Sequence, residues 1–385
     1  MARTRAPVAL TALRDCLRFL LTDPSSSAWP LPVAVLPADF LDAARRHKVV
    51  PLLRTALASL SLPDGLAADL RAEGDVDRMR CLRQATELAR LFTVLGSAAV
   101  PALAFKGLAL ADQAYGDFAA RGVGDHDVLV RPADLPQARA ALLAAGWTLS
   151  DGYPQPDDGW AWQFLVRNGY EMEFRSATSV VDLHWRLDPT LAALPGFDEL
   201  WDRRSTFDIA GTPVARLSAR DALAHSCSNA AKDDWRWLRS LVDVARLGQQ
   251  PASWSGLTPR GLRPVQLQTV GVAAELLGWT GLPEGVRRPA LAAARRPVRT
   301  AQRRQAALLE GRSRRFPGLA AANTVRRRSR GSHRMADLRR VVLSVLAPPE
   351  DLAHVANLHA GAATLAVTKR RAARLRVRVR EWWTR

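Results

Sequence analysis

From residue 7 to about 98, apolar positions return every three or four residues. In FLDAARRHKVVPLLRTALASL, Leu41, Ala44, His47 and Val50 keep this spacing and Pro51 interrupts it, which predicts helices with a break at the proline. A longer helix over roughly 64–98 carries Leu82, Leu88 and Leu91 on its apolar side. The pattern changes at Pro101. PALAFKG is a short apolar run ended by glycine, LALADQAYG forms a short helix, and RGVGDHDVLV reads as a strand whose start carries Asp125 and Asp127. RPADLPQARAALLAAGW is a helix with Asp134 as its cap, Pro136 in its first turn and Gly146 at its end. WTLS, WQFLV, YEMEF and SVVDLHW then read as short strands. Beyond residue 190 helical spacing returns. Ser218 and Asp221 have the form of a capping box ahead of one helix, ALAHSCSNAAKDDWRWLRSLVDVARL.

These elements predict an α+β fold: a small mixed β-sheet flanked by helices, with helical N-terminal and C-terminal regions. The expected boundaries are 1–98 for the helical N-terminal region, 99–190 for the mixed core, 191–285 for a helical domain and 286–385 for an arginine-rich basic C-terminal region. The final stretch, ATLAVTKRRAARLRVRVREWWTR, reads as a basic helix or strand ending in two tryptophans. No internal repeat is evident.

With 385 residues the chain has room for two or three domains, and 48% hydrophobic with 24% charged residues is a globular composition. Only four of the 55 basic residues are lysines: Lys48, Lys106, Lys232 and Lys369. Single arginines therefore carry little information. The net charge of +18 lies at the end, since residues 286–385 hold 25 basic and 5 acidic side chains, while the preceding part is close to neutral. Such a segment attracts an anionic partner through a salt-sensitive field. Nucleic acid or polyphosphate, anionic lipid, and a compositional extension with no single partner are its three readings, the last ranked first because its arginines are not interleaved with aromatics except at Phe316, Trp382 and Trp383. Cysteines 16, 81 and 227 have no metal-ligand spacing, which fits a reducing cytoplasm. Arg14, Asp15 and Arg18 break the N-terminal apolar run, against a signal peptide, and no stretch reads as a transmembrane segment.

The candidate chemistry lies in KGLALADQAYGDFAARGVGDHDVLV, residues 106–130. Side chains two apart on a strand point the same way, so Asp125 and Asp127 converge. Two carboxylates that close repel unless a cation joins them. Mg²⁺, with Mn²⁺ as the alternative, takes one or two carboxylates and keeps other positions for water and phosphate oxygens. A third acid would complete a two-ion clamp for phosphoryl or nucleotidyl transfer. Asp182, Glu171 and Glu173 are the candidates, with Asp182 favoured as the single acid among core residues in SVVDLHW. Lys106 and Gly107 suit a phosphate, the glycine by close backbone approach and the lysine by its charge.

Together, K-G, R-x-x-G-D-x-D entering an apolar strand, a helix ending in A-G-W, V-D-L-H-W, and the later S-x-x-D-x-L-x-H…W-L…L-V-D-V-A-R-L resemble the uncharacterised nucleotidyltransferase family of the DNA polymerase β-like superfamily, over roughly residues 35–250. The resemblance implies a five-stranded mixed sheet, with Asp125 and Asp127 as the metal pair and Asp182 as the third acid. Lys106 and Gly107 stand where the wider superfamily has Gly-Ser. His126 points to the opposite side of its strand and is not expected as a ligand.

The expected activity is transfer of a nucleotidyl group from an NTP to a hydroxyl or phosphate of a small molecule, peptide or RNA. The competing readings are transfer of the γ phosphate from the same site, and an inactive protein of this fold that binds nucleic acid through its basic tail. Arg121 either binds phosphate or pairs with Asp125. Lys232 contacts phosphate or is solvated, and His184 orients Asp182, touches substrate or packs on Trp185. Asp243 is expected to pair with an arginine such as Arg239. Trp235 and Trp237 cannot both face inward on one helix.

Overall fold

The computed structural model describes residues 5–22, 28–150, 152–189, 194–257, 261–312 and 333–356, with 358, 362, 366 and 369. The chain opens with α1 (Arg5–Thr22), a short strand β1 (Trp29–Pro30), α2 (Pro37–Arg46), α3 (Val50–Thr55), β2 (Leu60–Ser61) and the long α4 (Asp64–Ser97). Pro51 stands in the first turn of α3, where its missing N–H costs nothing, and residues 47–49 make the break. β1 and β2 pair in parallel.

The core elements follow as β3 (Ala102–Phe105), α5 (Gly107–Tyr115), β4 (His126–Val130), α6 (Leu135–Ala144), β5 (Thr148–Leu149), α7 (Trp160–Asn168), β6 (Glu171–Arg175) and β7 (Val180–His184). Next come α8 (Phe197–Asp202), β8 (Ser205–Ile209), β9 (Thr212–Arg216), α9 (Ala219–Lys232), α10 (Leu238–Gly248), α11 (Pro264–Leu277), α12 (Glu284–Leu309), α13 (His333–Leu346) and α14 (Pro349–Val355). Seven strands form one sheet in the order β5-β6-β7-β4-β3-β9-β8. β6 is antiparallel to both β5 and β7, β8 and β9 form an antiparallel hairpin, and β9 is parallel to β3. The fold is α+β with helical flanks. Among the described residues, those within 1–92, 103–127 and 198–316 form one compact unit, and those within 93–102, 128–197 and 317–385 a second.

All four residues of β3 and all five of β4 are buried. A strand covered on both faces needs a continuous apolar run, as in Ala102–Phe105 and Val128–Val130. His126 and Asp127 are buried polar exceptions on β4, 3% and 4% exposed.

Four expectations change. WQFLV is part of helix α7, with Ala161, Trp162, Leu165 and Asn168 buried at helical spacing. The sheet has seven strands because STFDI and TPVAR add a hairpin turned by Ala210 and Gly211, both at positive φ (51° and 78°). The predicted single helix over ALAHSCSNAAKDDWRWLRSLVDVARL is two, α9 and α10. Asp234 and Trp235 take positive φ (both 54°), and the Trp235 N–H returns to the Ala230 carbonyl. Asp134 does not cap α6 with its side chain, which instead accepts a hydrogen bond from Arg131 Nη1 at 3.1 Å. The basic end of the chain, with Phe316, Trp382 and Trp383, lies outside the described residues. No helix among the described residues is long and apolar enough to cross a membrane.

His47, just past α2, is 0% exposed. Burial first, then the Arg14 guanidinium, push its pKa down to about 3. The unfolded chain, with a histidine near 6.5, therefore takes up the proton first, and stability present above that value is lost as pH falls toward the folded one. At pH 5 the loss from His47 is about 2 kcal/mol relative to neutral pH. Urea unfolding at both pH values checks this: His47→Gln should lose less than the parent chain, and equal losses would reject the role of the imidazole.

Candidate active site

β3 ends at Phe105 and hands the chain to Lys106, whose backbone sits at φ 58° and ψ −154°. A non-glycine residue held there stores about 1–3 kcal/mol of strain, which accumulates where geometry serves a site. Gly107 follows at φ 42°, and a Cβ on it would lie 3.3 Å from the Asp125 carbonyl oxygen. Glycine is thus needed for both conformation and approach, and it brings the first turn of α5 against the Asp125 peptide. The N–H groups of a first helical turn have no intrahelical acceptor, so they are available to an anion.

The Lys106 ammonium forms an ion pair with Asp127 Oδ1. Asp127 is held on β4 at the centre of the sheet, and β7 carries Asp182 and His184. Asp127, Asp182 and His184 each offer a ligand atom, and these atoms lie within 4.8 Å of one another. Ligand atoms gathered this closely could hold one divalent cation. Two carboxylates suit Mg²⁺, while the imidazole widens the choice toward Mn²⁺ or Zn²⁺. His184 Nε2 also lies 3.5 Å from Glu171 Oε2, its register partner on β6.

Asp125 falls one residue before β4 and outside that group of three. Asp125 is an exposed residue. Partial loss of water, then the Asp127 charge, raise its pKa, against Lys106 which lowers it. Glu173 is engaged elsewhere, accepting hydrogen bonds from Ser150 Oγ at 2.6 Å and Arg175 Nε at 2.7 Å. His126 is buried, and burial pushes its pKa down to about 4, which leaves a neutral ring at pH 7.

Arg121 pairs with neither Asp125 nor a solvent-facing anion. Its Nε donates to both oxygens of Asp243 at 3.1 Å, and Tyr115 Oη donates to Asp243 Oδ1 at 2.8 Å. Burial alone would lower the Arg121 pKa, but Asp243 together with Tyr115 and Asp127 outweighs it and the net shift is upward. Asp243 is accordingly the partner of Arg121, not of Arg239. The cause is the break after α9, which starts α10 afresh at Leu238 and turns Asp243 into the core. Arg239 instead keeps company with Arg121, and burial together with that repulsion lowers its pKa to about 10. Lys232 is exposed in the last turn of α9. Trp235 is buried, its Nε1 donating to Thr269 Oγ1 at 2.8 Å, while Trp237 lies under Lys48 and Arg236, 4.6 and 3.8 Å from its ring centroid.

His184 is the member of the three-residue group that sequence reasoning left with three roles. The available signal was the D-x-H spacing in VVDLH, which repeats the i, i+2 geometry of D-x-D.

No curated protein matches the chain. A family model described as uncharacterised nucleotidyltransferase matches residues 34–309, from before α2 to the last residue of α12. The matched span contains Lys106, Asp127, Asp182 and His184, and the chain belongs to that nucleotidyltransferase family.

Proposed function

We propose that the protein is a Mg²⁺-dependent enzyme that moves a nucleotidyl group from an NTP to a hydroxyl or phosphate oxygen of an acceptor. The observation that carries this reading is the convergence of Asp127, Asp182 and His184 within 4.8 Å, beside Lys106 and Gly107. Asp127, Asp182 and His184 would hold the ion, with the exposed Asp125 two residues before Asp127. The ion, when bound, neutralises charge on the triphosphate and on the pyrophosphate that leaves. Lys106 and the first-turn N–H groups of α5 bind the phosphates and fix their orientation. Asp182 takes the proton from the acceptor hydroxyl as its oxygen bonds to the α phosphorus and the bond to pyrophosphate breaks. Burial of Asp127 excludes water from that side of the site.

Mg²⁺ and NTP labelled at either the α or the γ position, offered with small-molecule hydroxyls, peptide or RNA, test the reading. The α label is expected on one acceptor with release of pyrophosphate, and Asp127→Ala should give neither. Movement of the γ label would make the protein a phosphotransferase. Failure to bind Mg²⁺ and NTP, with nucleic-acid binding that falls steeply with salt, would make it a binding protein.

A further inference from the structure

A cleft apart from the candidate active-site residues lies in the unit that carries α7, α13 and α14. With a volume of about 440 Å³, it opens between α7 and α13, walled by Trp160, Phe164 and Leu343 and bordered by Arg167, Arg339 and Arg340. That volume is within the range of small-molecule sites. Its aromatic wall is fixed in advance, because Trp160 Nε1 donates to the Ala356 and Leu358 carbonyls, both at 3.1 Å, and its ring packs on Val355 of α14.

Among the described residues that line the cleft, the charged side chains are all arginines. Arg340 is only 8% exposed, and its Nη1 has no hydrogen-bond acceptor among the described residues. A buried guanidinium N–H without an acceptor is costly, and the cost is removed by whatever supplies one. Arg186 stands near enough to repel it, held by donation from its Nη1 to the Val166 and Gly169 carbonyls at the end of α7 (2.6 and 2.9 Å). Burial lowers the pKa of both guanidiniums, and Arg340 lowers that of Arg186 further. Asp337, 0% exposed on α13, offsets one positive charge. Arg167 and Arg339 add two more at the rim.

We infer that the cleft between α7 and α13 binds a small organic anion: a carboxylate or phosphate group held by the guanidinium groups of Arg340, Arg167 and Arg339, carried on an aromatic or other apolar body that lies against Trp160 and Phe164. The anionic group lies against the guanidinium groups that border the cleft and relieves the repulsion among them, while the apolar body covers the aromatic wall. The chain's own end does not suit this site, since residues 370–385 hold seven arginines and one glutamate. The inference is independent of the nucleotidyl-transfer reading, whose residues lie on other elements.

Calorimetric titration of the full chain with phenyl phosphate and with phenylacetate tests it and separates the two anionic groups. Saturable one-to-one binding of at least one is expected, weakened about tenfold or more in Arg340→Gln, which loses a charge-assisted hydrogen bond. Binding of Mg²⁺ with NTP should be the same in Arg340→Gln as in the parent. Benzyl alcohol, which has the body without the charge, should not bind. Absence of saturable binding by both anions, or equal binding by Arg340→Gln, overturns the proposal. Inorganic phosphate binding as well as phenyl phosphate overturns the assigned ligand class, because the aromatic wall then contributes nothing. Should circular dichroism show Arg340→Gln to be unfolded, Phe164→Ser and Arg167→Gln carry the same comparison from α7.

Discussion

Replacing Asp243 by alanine is expected to destabilise the fold by about 3–5 kcal/mol, enough to unfold a marginal protein. The carboxylate is 3% exposed and accepts from Arg121 Nε and Tyr115 Oη, and the Arg121 side chain is 7% exposed. Its removal strands a guanidinium inside the protein with no water to replace the lost acceptor. The pair itself is worth much less, because desolvating two ions offsets most of their attraction. Arg121→Met combined with Asp243→Leu should therefore recover most of the loss. Urea unfolding of the single and double variants measures the difference. A single-variant loss under about 1 kcal/mol, well below the range for breaking a buried pair, would show that water reaches the guanidinium.

The same pair shows where sequence reading stops. Arg121 sits in R-x-x-G-D-x-D, four residues before Asp125, and proximity along the chain favoured a local partner. Its actual partner is 122 residues away. That contact depends on the turn at Asp234 and Trp235, where two non-glycine residues adopt positive φ. Local propensity does not encode such a turn, since neither aspartate nor tryptophan marks it as glycine would. The β8–β9 hairpin was hidden for a related reason, with alanine at its first turn position where Asn or Asp is the usual signal. WQFLV misled because five apolar or polar residues cannot distinguish a period of 2 from one of 3.6.

By contrast, β3, β4, β6 and β7 were legible. Apolar runs bounded by Lys-Gly, Gly-Asp and a turn sequence leave few alternatives for strands of four or five residues. Within the site, Asp182 was favoured over Glu171 and Glu173 as the third acid because it stands alone among core residues, and it falls in one group of candidate ligands with Asp127. The ion pair between Lys106 and Asp127 was not legible. Its basis is the strained backbone of Lys106, which aims a side chain expected to reach for phosphate back onto a carboxylate.

That ion pair gives the last prediction its direction. If a divalent cation is held at the Asp127 carboxylate, as proposed, it competes there with Lys106, so Lys106→Met is expected to bind Mn²⁺ or Mg²⁺ alone more tightly than the parent chain. Two unit charges about 4 Å apart interact by about 4 kcal/mol at a protein-surface dielectric, so even partial relief is worth tenfold in affinity. The same variant should bind NTP with the ion less tightly, because the phosphates lose a cationic donor. Asp182→Asn moves both quantities differently. Metal affinity should fall because a ligand is lost, and transfer should drop about 10²–10⁴-fold as the acceptor proton loses its base. Manganese binding followed by electron paramagnetic resonance, with and without NTP, reads the first two effects without relying on turnover. If Lys106→Met weakens binding of the bare ion, Lys106 supports the site instead of competing for it, and its role as a placeholder on Asp127 is wrong. Under the competing arrangement the lysine is released as the ion arrives, and the group that neutralises Asp127 before binding becomes the group that holds the phosphates afterwards.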